Sequence, residues 1–464
     1  MNDIAKIKSG ALSWNNKNAQ EFYDLSKLQW DNPELLLQEF ESSKVLSDKL
    51  KSYGFTVDYG IAEMPTAFTA VYGSGAPVIA INCEYDALPG MSQKSDVAKP
   101  SPVTEGAPGQ ACGHNLLGTA GVKAAISVRK ALEEYSLPGT VMVIGAPAEE
   151  MVTGKPILGK HGVLSGADAY LDWHPWSYNR VDAETCNAAF WVKYHFKGKA
   201  CHGNAPWHGK SALDGAMLFA HAIELLREHL EPGNPPDAAT TVNYTIDGPK
   251  VANIIPPKTS VVCVGRFVTT DAAVEARERI ENCAKGAALA TGTEVEAEVI
   301  SASHHKIPNE VLSKLMHDNL KELGLPTFTE EEQRLAANIQ KEMGVAQTGI
   351  STTLRPFGGG STVVTDTSEY SWNAPYATAW IAMAPENIGW HNWGVTFCAG
   401  NSMGQKGMDK AADLIAVTAI DLFCNPEILA RAKEEWLERL NGETYSSLLP
   451  DDYTPPYNFY ERKA

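Results

Sequence analysis

The chain has 464 residues, of which 44% are apolar and 20% charged, a composition that excludes a disordered or fibrous protein and predicts two or three packed domains. Its formal charge of −17 argues against binding to nucleic acid or to an anionic membrane, since both require a basic surface. The amino terminus carries no signal-like apolar core and no apolar run is long enough to span a membrane, so we expect a cytoplasmic protein. Eight cysteines without a CxxC pair fit reduced thiols.

The first half of the chain predicts an α/β domain. Apolar residues at helical spacing, among them Leu36, Phe40, Leu46 and Leu50, predict an N-terminal helical layer. The segment PVIAINCEYDALPG then predicts a buried strand, GQACGHNLLG the beginning of a helix, and TVMVIGAPAEE a second buried strand. This order favours a sheet with helices on its faces, in which sites lie at the carboxyl ends of the strands.

A second domain is predicted from Ala188 onward. There AAFWVKYHFKGKA alternates as a strand with two faces, and helical and strand-like stretches follow in a βαββαβ-like series. We therefore predict an inserted α+β, ferredoxin-like domain over residues 188–304, between two parts of the first domain at 1–187 and 305–464.

The triplet Cys112-Gly113-His114 is the first candidate for chemistry. A thiolate and an imidazole two residues apart, with a glycine between them, can reach one borderline-soft cation such as zinc. Two other interpretations are open at this point: a buried cysteine beside a histidine that caps a helix, and a cysteine nucleophile next to its base. Asp86, at the end of the preceding strand, is by itself more typical of a turn or a cap than of a site.

Other candidate residues follow predicted strands or lie in loops. Glu149 and Glu150 are adjacent in an extended segment, so their side chains point in different directions and can have different roles, unless both belong to a solvated turn. His174 and His391 are ordinary structural histidines when each is taken alone. His202 lies in a glycine-flanked loop, where it is either an exposed turn residue or a donor to a developing oxyanion.

Taken in order, EYDALPG, ACGHN, GAPAEE, DWHP, GKACHGNAP and GWHNWG resemble the aminoacylase and carboxypeptidase G superfamily of di-metal amidohydrolases. Within it, the chain is similar to the branch of the IAA-amino-acid hydrolases and the aminobenzoyl-glutamate hydrolases. The resemblance implies a zinc-peptidase-like α/β/α catalytic domain with an inserted lid and dimerisation domain. It also implies a homodimer, or else a higher oligomer or a complex with a paralogous subunit.

The resemblance also implies roles for individual residues. Two divalent ions, zinc or manganese, are expected on five ligands: Cys112, His114, Glu150, His174 and His391. Glu149 is the implied general base, with Asp86 in a supporting position, and His202 is implied to reach the site of a neighbouring subunit. Asn253 and Arg266 match positions that bind a substrate carboxylate, and Glu369 in TDTSEYSWNAP matches a site residue of the same branch.

The sequence departs from the wider superfamily at one of these positions. More distant carboxypeptidases have a histidine two places before the equivalent of Asp86, and this chain has Glu84 there. Cys112 is expected to take over the role of that ligand. Asn115 likewise follows the histidine of ACGH where many relatives have aspartate.

These features predict hydrolysis of a small N-acyl amino acid or aminoaryl conjugate by a metal-activated water, with Glu149 accepting its proton. Tryptophans flank several of the segments and indicate an aromatic substrate as readily as a packed core: Trp173, Trp176, Trp207, Trp372, Trp390 and Trp393. Three alternatives stay open, namely a hydrolase with Cys112 as nucleophile, a deaminase of an amino-aromatic compound on the same metal site, and a catalytically silent binding subunit.

Overall fold

A computed structural model describes residues 4–234 and 238–460. The helices are α1 (Ile4–Lys17), α2 (Ala19–Asp31), α3 (Phe40–Ser52), α4 (His114–Tyr135), α5 (Gly154–Lys160), α6 (Ala212–Leu226), α7 (Thr270–Thr291), α8 (Glu310–Leu323), α9 (Glu330–Glu342), α10 (Ser368–Ser371), α11 (Trp393–Ala399), α12 (Ser402–Cys424) and α13 (Pro426–Leu440). Among these described helices, none is long and apolar enough to cross a membrane.

The strands are β1 (Thr56–Tyr59), β2 (Phe68–Ser74), β3 (Val78–Glu84), β4 (Gly139–Ala146), β5 (Ala169–Trp176), β6 (Arg180–Val181), β7 (Ala183–Cys186), β8 (Ala188–Lys197), β9 (Gly233–Asn234), β10 (Ala238–Ala239), β11 (Thr241–Asp247), β12 (Lys258–Phe267), β13 (Glu294–Ser303), β14 (Gly359–Thr362) and β15 (Tyr376–Ala382). One sheet has the order β1-β2-β4-β3-β5-β15-β6, and its central strands β4, β3, β5 and β15 are parallel. This confirms the predicted α/β sheet.

Helices cover both faces of this sheet. Alternate side chains of β3 belong to two different cores: Ile79 and Ile81 pack with α4 and α12, while Ala80 packs with α5. The predicted N-terminal helical layer is present, and its helices α1 and α2 pack against α4. Helix α3 begins at Phe40, so Leu36 lies in the buried turn before it.

Two glycines let α4 lie very close to β3. A Cβ atom on Gly118 would be 2.4 Å from the backbone oxygen of Glu84, and one on Gly121 would be 2.5 Å from that of Asn82. Because only glycine permits this approach, the beginning of α4 is held directly over the carboxyl end of β3.

The inserted domain has the predicted βαββαβ order in β8, α6, β11, β12, α7 and β13, with the sheet order β11-β12-β8-β13. Inward residues of β8, such as Val192 and Tyr194, pack against Phe219 of α6 and Ile280 of α7. The opposite face of the sheet carries Trp191, whose ring lies against Phe459. All six elements fall within residues 188–304, and we retain the three-part division of the chain as a proposal.

A segment after α13 connects the two domains. Tyr453 donates a hydrogen bond to the backbone oxygen of Ile300 in β13, at 2.6 Å, and the backbone oxygen of Tyr460 accepts one from Gln38 in the catalytic domain, at 3.1 Å. The closing segment of the described chain therefore contacts both domains.

Candidate metal centre

Four elements converge at the carboxyl edge of the parallel strands. Glu84 ends β3, Glu149 and Glu150 follow β4, and His174 lies on β5. His114 is the first residue of α4, behind Gly113, whose φ of 84° is in the left-handed region. A Cβ atom on Gly113 would also contact Pro175 and Met383 at 3.1–3.2 Å, so glycine is required between the two candidate ligands. Sites of α/β sheets are expected at this edge.

Cys112 and His174 face each other. Cys112 Sγ lies 3.4 Å from His174 Nε2, and His174 Nδ1 lies 2.7 Å from the backbone oxygen of Pro175. Because Nδ1 carries the hydrogen that this carbonyl accepts, the lone pair of the ring is on Nε2 and points toward the thiol. Burial lowers the pKa of His174 to about 4, which keeps the imidazole neutral.

Asp86 holds two of the candidate ligands. Its Oδ1 lies 2.8 Å from His114 Nδ1, and its Oδ2 accepts the backbone N–H of Glu150 at 2.9 Å. The contact leaves Nε2 of His114 directed into the site. Such a carboxylate fixes the tautomer and the orientation of a metal-binding histidine.

His391 and Glu150 complete the group. His391 Nε2 lies 3.4 Å from Glu150 Oε2, and the backbone of His391 has a φ of 58°, which a non-glycine residue rarely adopts. The ligand atoms of Cys112, Glu150 and His391 lie within 4.8 Å of one another, and so do those of Cys112, His114 and His174. Cys112 belongs to both sets, so its sulfur is placed to contact two ions.

Several buried acceptors in this group suit cations. His114 Nε2, Glu84 Oε2 and Glu150 Oε1 are buried and make no hydrogen bond within the described part of the chain. An unsatisfied buried polar atom costs about 1–3 kcal/mol, and converging lone pairs of sulfur, nitrogen and oxygen are a donor set that divalent metals satisfy. The residues present therefore fit the metal ions that the sequence implied.

The carboxylates of the site differ in charge state. Burial raises the pKa of Glu149 to about 7. Burial would also raise the pKa of Glu84, but the charge of Lys155 and the hydrogen bonds from Lys155 and Asn82 oppose it and lower that pKa below its ordinary value. Glu149 can therefore exchange a proton near neutral pH, whereas Glu84 stays ionised.

A cavity of about 720 Å³ opens in front of these residues, between the catalytic domain and the face of the lid sheet that carries Trp191. Cys112, Glu149, Glu150, His174 and His391 form one wall. Aromatic rings line another: Trp176 stacks on Trp390 with centroids 4.4 Å apart, and Trp380 lies 4.9 Å from Trp176.

Of the residues predicted to bind the substrate, only Arg266 lines the cavity. Arg266 lies on β12, and its guanidinium makes no ion pair or hydrogen bond within the described residues. His202 and Asn253 are exposed neighbours in lid loops, joined through the backbone of Gly203, and neither lines the cavity of a single chain. Glu369 is buried away from the cavity, where its Oε1 lies 2.8 Å from His304 Nδ1 and accepts the backbone N–H of His304.

Sequence reasoning did not single out several charged residues that the structure brings to this region. Lys155 and Asp366 lie behind Glu84, and Glu184 and Lys306 form a buried pair at 2.9 Å in the cavity wall. Glu84 itself faces His114, at 3.4 Å between Oε2 and Nε2, and the replacement of the missing histidine ligand by Cys112 stays a prediction. An isolated lysine or aspartate in the sequence carries no signal of such pairing.

Comparison with known proteins identifies the family. The chain is 32% identical to one subunit of the p-aminobenzoyl-glutamate hydrolase of Escherichia coli strain K12, over 94% of this chain and 96% of that protein. This chain belongs to the M20 family of amidohydrolases and peptidases. It is 28% identical to the Xaa-Arg dipeptidase of Mus musculus, over 95% of this chain and 94% of that protein, and the model of a peptidase dimerisation domain matches residues 187–291.

Solved structures confirm the M20 fold. A dinuclear metal-binding M20 peptidase from Bacillus subtilis aligns with a TM-score of 0.55 and 17% identity, over 88% of this chain and 99% of that one. An aminobenzoyl-glutamate utilization protein from Klebsiella pneumoniae aligns with a TM-score of 0.58 and 14% identity, over 88% and 97%. The predicted fold class, superfamily and activity on amide bonds are thus confirmed for this M20 enzyme.

Proposed function

We propose that this M20 enzyme hydrolyses the amide bond of a small N-acyl amino acid or aminoaryl conjugate, such as an aminobenzoyl-glutamate-like compound. The observation that carries the proposal is the convergence of five ligand-type side chains beside Glu149, four of which line the same cavity wall as Glu149 while His114 is buried behind them. The names of the E. coli relative and of the IAA-amino acid hydrolases, one of them 26% identical over 71% of this chain, agree with this class of substrate.

Cys112, His114 and His174 would bind one divalent ion, and Cys112, Glu150 and His391 the other, with zinc or manganese as candidates. When bound, the ions supply a water of lowered pKa and an electrophile for the carbonyl oxygen. Asp86 would leave Nε2 of His114 available to an ion through its contact with Nδ1, and it holds the backbone of Glu150 through the N–H of that residue.

Glu149 is the proposed general base. Its side chain lines the cavity next to the ligands, with Oε2 3.8 Å from His114 Nε2. It would take the proton of the attacking water and return it to the nitrogen of the leaving amine, so the amine departs neutral. A base whose pKa lies near the working pH is suited to both transfers.

Two groups of cavity-lining residues suit two parts of the substrate. Arg266 would bind the carboxylate of the amino acid, since its guanidinium is otherwise unpaired in the described chain. Trp176 and Trp390, which both line the cavity, would hold an aromatic group by stacking.

We propose a homodimer, in which His202 and Asn253 act on the site of the second copy, because both are exposed in this chain and absent from its own cavity wall. The dimerisation-domain match over residues 187–291 supports an oligomer. Apolar side chains on the lid surface suit a contact with a second copy, among them Trp207 at 75% exposure and Met217 at 58%. Pairing with a paralogous subunit is the alternative that the E. coli name suggests. Glu369 as a site residue and a cytoplasmic location stay predictions.

The test is to remove metal with a chelator, restore it with zinc or manganese, and assay N-acyl amino acids and aminoaryl conjugates. Loss of activity that either metal restores is expected. Activity that survives chelation would instead support Cys112 as a nucleophile, although burial raises the pKa of its thiol well above the ordinary value and disfavours the thiolate. Ammonia as product would identify a deaminase, and inactivity toward every compound would point to a binding subunit.

A further inference from the structure

A buried ion cluster lies behind the metal centre, and the proposed mechanism does not use it. Lys155, on α5, is 0% exposed, and its Nζ lies 2.7 Å from Glu84 Oε1 and 2.6 Å from Asp366 Oδ1. The other oxygen of Asp366 accepts the backbone N–H of Lys155 at 3.0 Å. Asp366 therefore anchors this lysine at its backbone and at its ammonium group.

The two oxygens of Glu84 have different surroundings. Oε1 accepts hydrogen bonds from Lys155 and from Asn82 Nδ2, the latter at 2.8 Å. Oε2 makes no hydrogen bond within the described residues and lies 3.4 Å from His114 Nε2. The bonds to Oε1 thus fix the direction in which Oε2 points, which is toward a candidate metal ligand.

The cluster continues into the strand that carries His174. Asn82 Nδ2 also donates to Asp172 Oδ1 on β5, at 3.0 Å, and Asn82 Oδ1 accepts from the hydroxyl of Tyr370 at 2.8 Å. The second oxygen of Asp172 accepts from Tyr376 at 2.8 Å. A polar network with these bonds satisfied is rigid and holds its members in one arrangement.

We propose that Lys155 is a positioning residue for the metal centre, which acts by holding Glu84 so that Oε2 faces the ion bound by His114. The inference rests on the proposed function, since it requires that this site binds metal. Folding stability alone does not explain why a buried lysine stands here, because well-packed apolar side chains often stabilise a fold as much as a buried ion pair does. An apolar residue could not orient a carboxylate.

The experiment compares Lys155→Met with the parent. Metal-depleted protein is titrated with zinc and with manganese by calorimetry, and kcat and KM are measured after reconstitution. Positioning predicts at least tenfold weaker binding of one ion and a lower kcat with little change in KM, as is found when groups that orient metal ligands are lost. A lysine that merely adds positive charge would repel cations, so tighter or unchanged metal binding in Lys155→Met overturns the proposal.

A double-mutant cycle tests the route through Glu84. Glu84→Gln should weaken metal binding, and adding Lys155→Met to it should change the affinity by less than about twofold, because the group that Lys155 positions is already gone. Fully additive effects contradict the proposal. A parent protein that binds no metal would instead refute the proposed function, so the two failures are distinguishable.

Two further variants test whether weaker metal binding in Lys155→Met comes from misfolding. Lys123→Met removes another buried lysine, which pairs with Asp409 between α4 and α12, and it should leave metal affinity within about twofold of the parent. If Lys155→Met does not fold, Asp366→Asn replaces it. This variant keeps the side-chain shape but weakens the anchor of Lys155, so metal binding should weaken by a smaller factor, and unchanged affinity would count against the proposal.

Discussion

Asp86 and His114 are joined by a contact of 2.8 Å between Oδ1 and Nδ1, in a place where both side chains are fully buried. The imidazole can present its Nε2 lone pair to a metal only while Nδ1 carries the proton that Asp86 accepts. The same carboxylate binds the backbone of Glu150, so one residue organises two ligands that are far apart in sequence.

Asp86→Asn should therefore weaken metal binding by about 10- to 100-fold, because an amide cannot accept from both His114 and the Glu150 backbone. Calorimetric titration of the metal-depleted variant measures this. Asp168→Asn is the matched control, since Asp168 also accepts a backbone N–H, from Val78 at 2.8 Å, at the opposite end of β3. Equal losses of metal affinity in the two variants would show that Asp86 does not orient the metal ligands.

Glu149→Gln should separate catalysis from metal binding. The amide keeps the shape of the side chain but cannot accept the proton of water, so we expect kcat to fall by about 10²- to 10⁴-fold. The metal content of the purified variant, measured by elemental analysis, should equal that of the parent. Activity near the parental level would exclude Glu149 as the base.

The sequence predicted the α/β sheet, the inserted lid and the ligand-type residues at strand ends, because apolar periodicity and turn residues are local signals. The contact of Glu84 with Lys155 and the pairing of Glu184 with Lys306 join residues far apart in the chain, and no local pattern encodes them. His202 illustrates a further limit: its predicted action needs a second copy, and within one chain it lies in an exposed loop.

Arg266→Met should affect only substrates that carry a carboxylate. A hydrogen bond to a charged group contributes about 1.5–3 kcal/mol, so KM should rise by about 10- to 100-fold for a free acid and little for the corresponding carboxamide. Steady-state kinetics on such a pair measure the effect, with Arg279→Met on the outer helix of the lid as the control. If KM rises equally for the acid and for the carboxamide, the substrate carboxylate does not bind at Arg266.

The stability of the protein should depend on His305 in acid. Its Nδ1 accepts the backbone N–H of Thr270 at 3.1 Å, and burial lowers its pKa to about 4. The unfolded chain protonates this ring near pH 6.5, so its contribution to stability is complete above that pH and is lost as the pH falls from 6.5 to 4.

His305→Asn retains an acceptor and removes the titration. Between pH 7.5 and pH 5, the free energy of unfolding of the parent should fall by about 2 kcal/mol more than that of the variant, as measured by urea denaturation of metal-depleted samples. His161, which begins the turn after α5, supplies a control histidine for the same substitution. Parallel pH profiles of the parent and His305→Asn would show that the ring is not the acid-sensitive group.

Trp390→Leu should distinguish a substrate-binding ring from a core ring. Trp390 lines the cavity and stacks on Trp176, so its loss should lower kcat/KM for aromatic substrates by about 3- to 10-fold, the equivalent of 0.5–1.5 kcal/mol for an aromatic pair. Aliphatic N-acyl amino acids make no such pair and should be affected much less. Trp14→Leu, in the N-terminal layer against Phe22, removes a ring outside the cavity and should leave the ratio of aromatic to aliphatic turnover unchanged. If Trp390→Leu lowers kcat/KM equally for aromatic and aliphatic substrates, the tryptophans serve only as core packing. The proposed preference for aromatic amides would then be wrong.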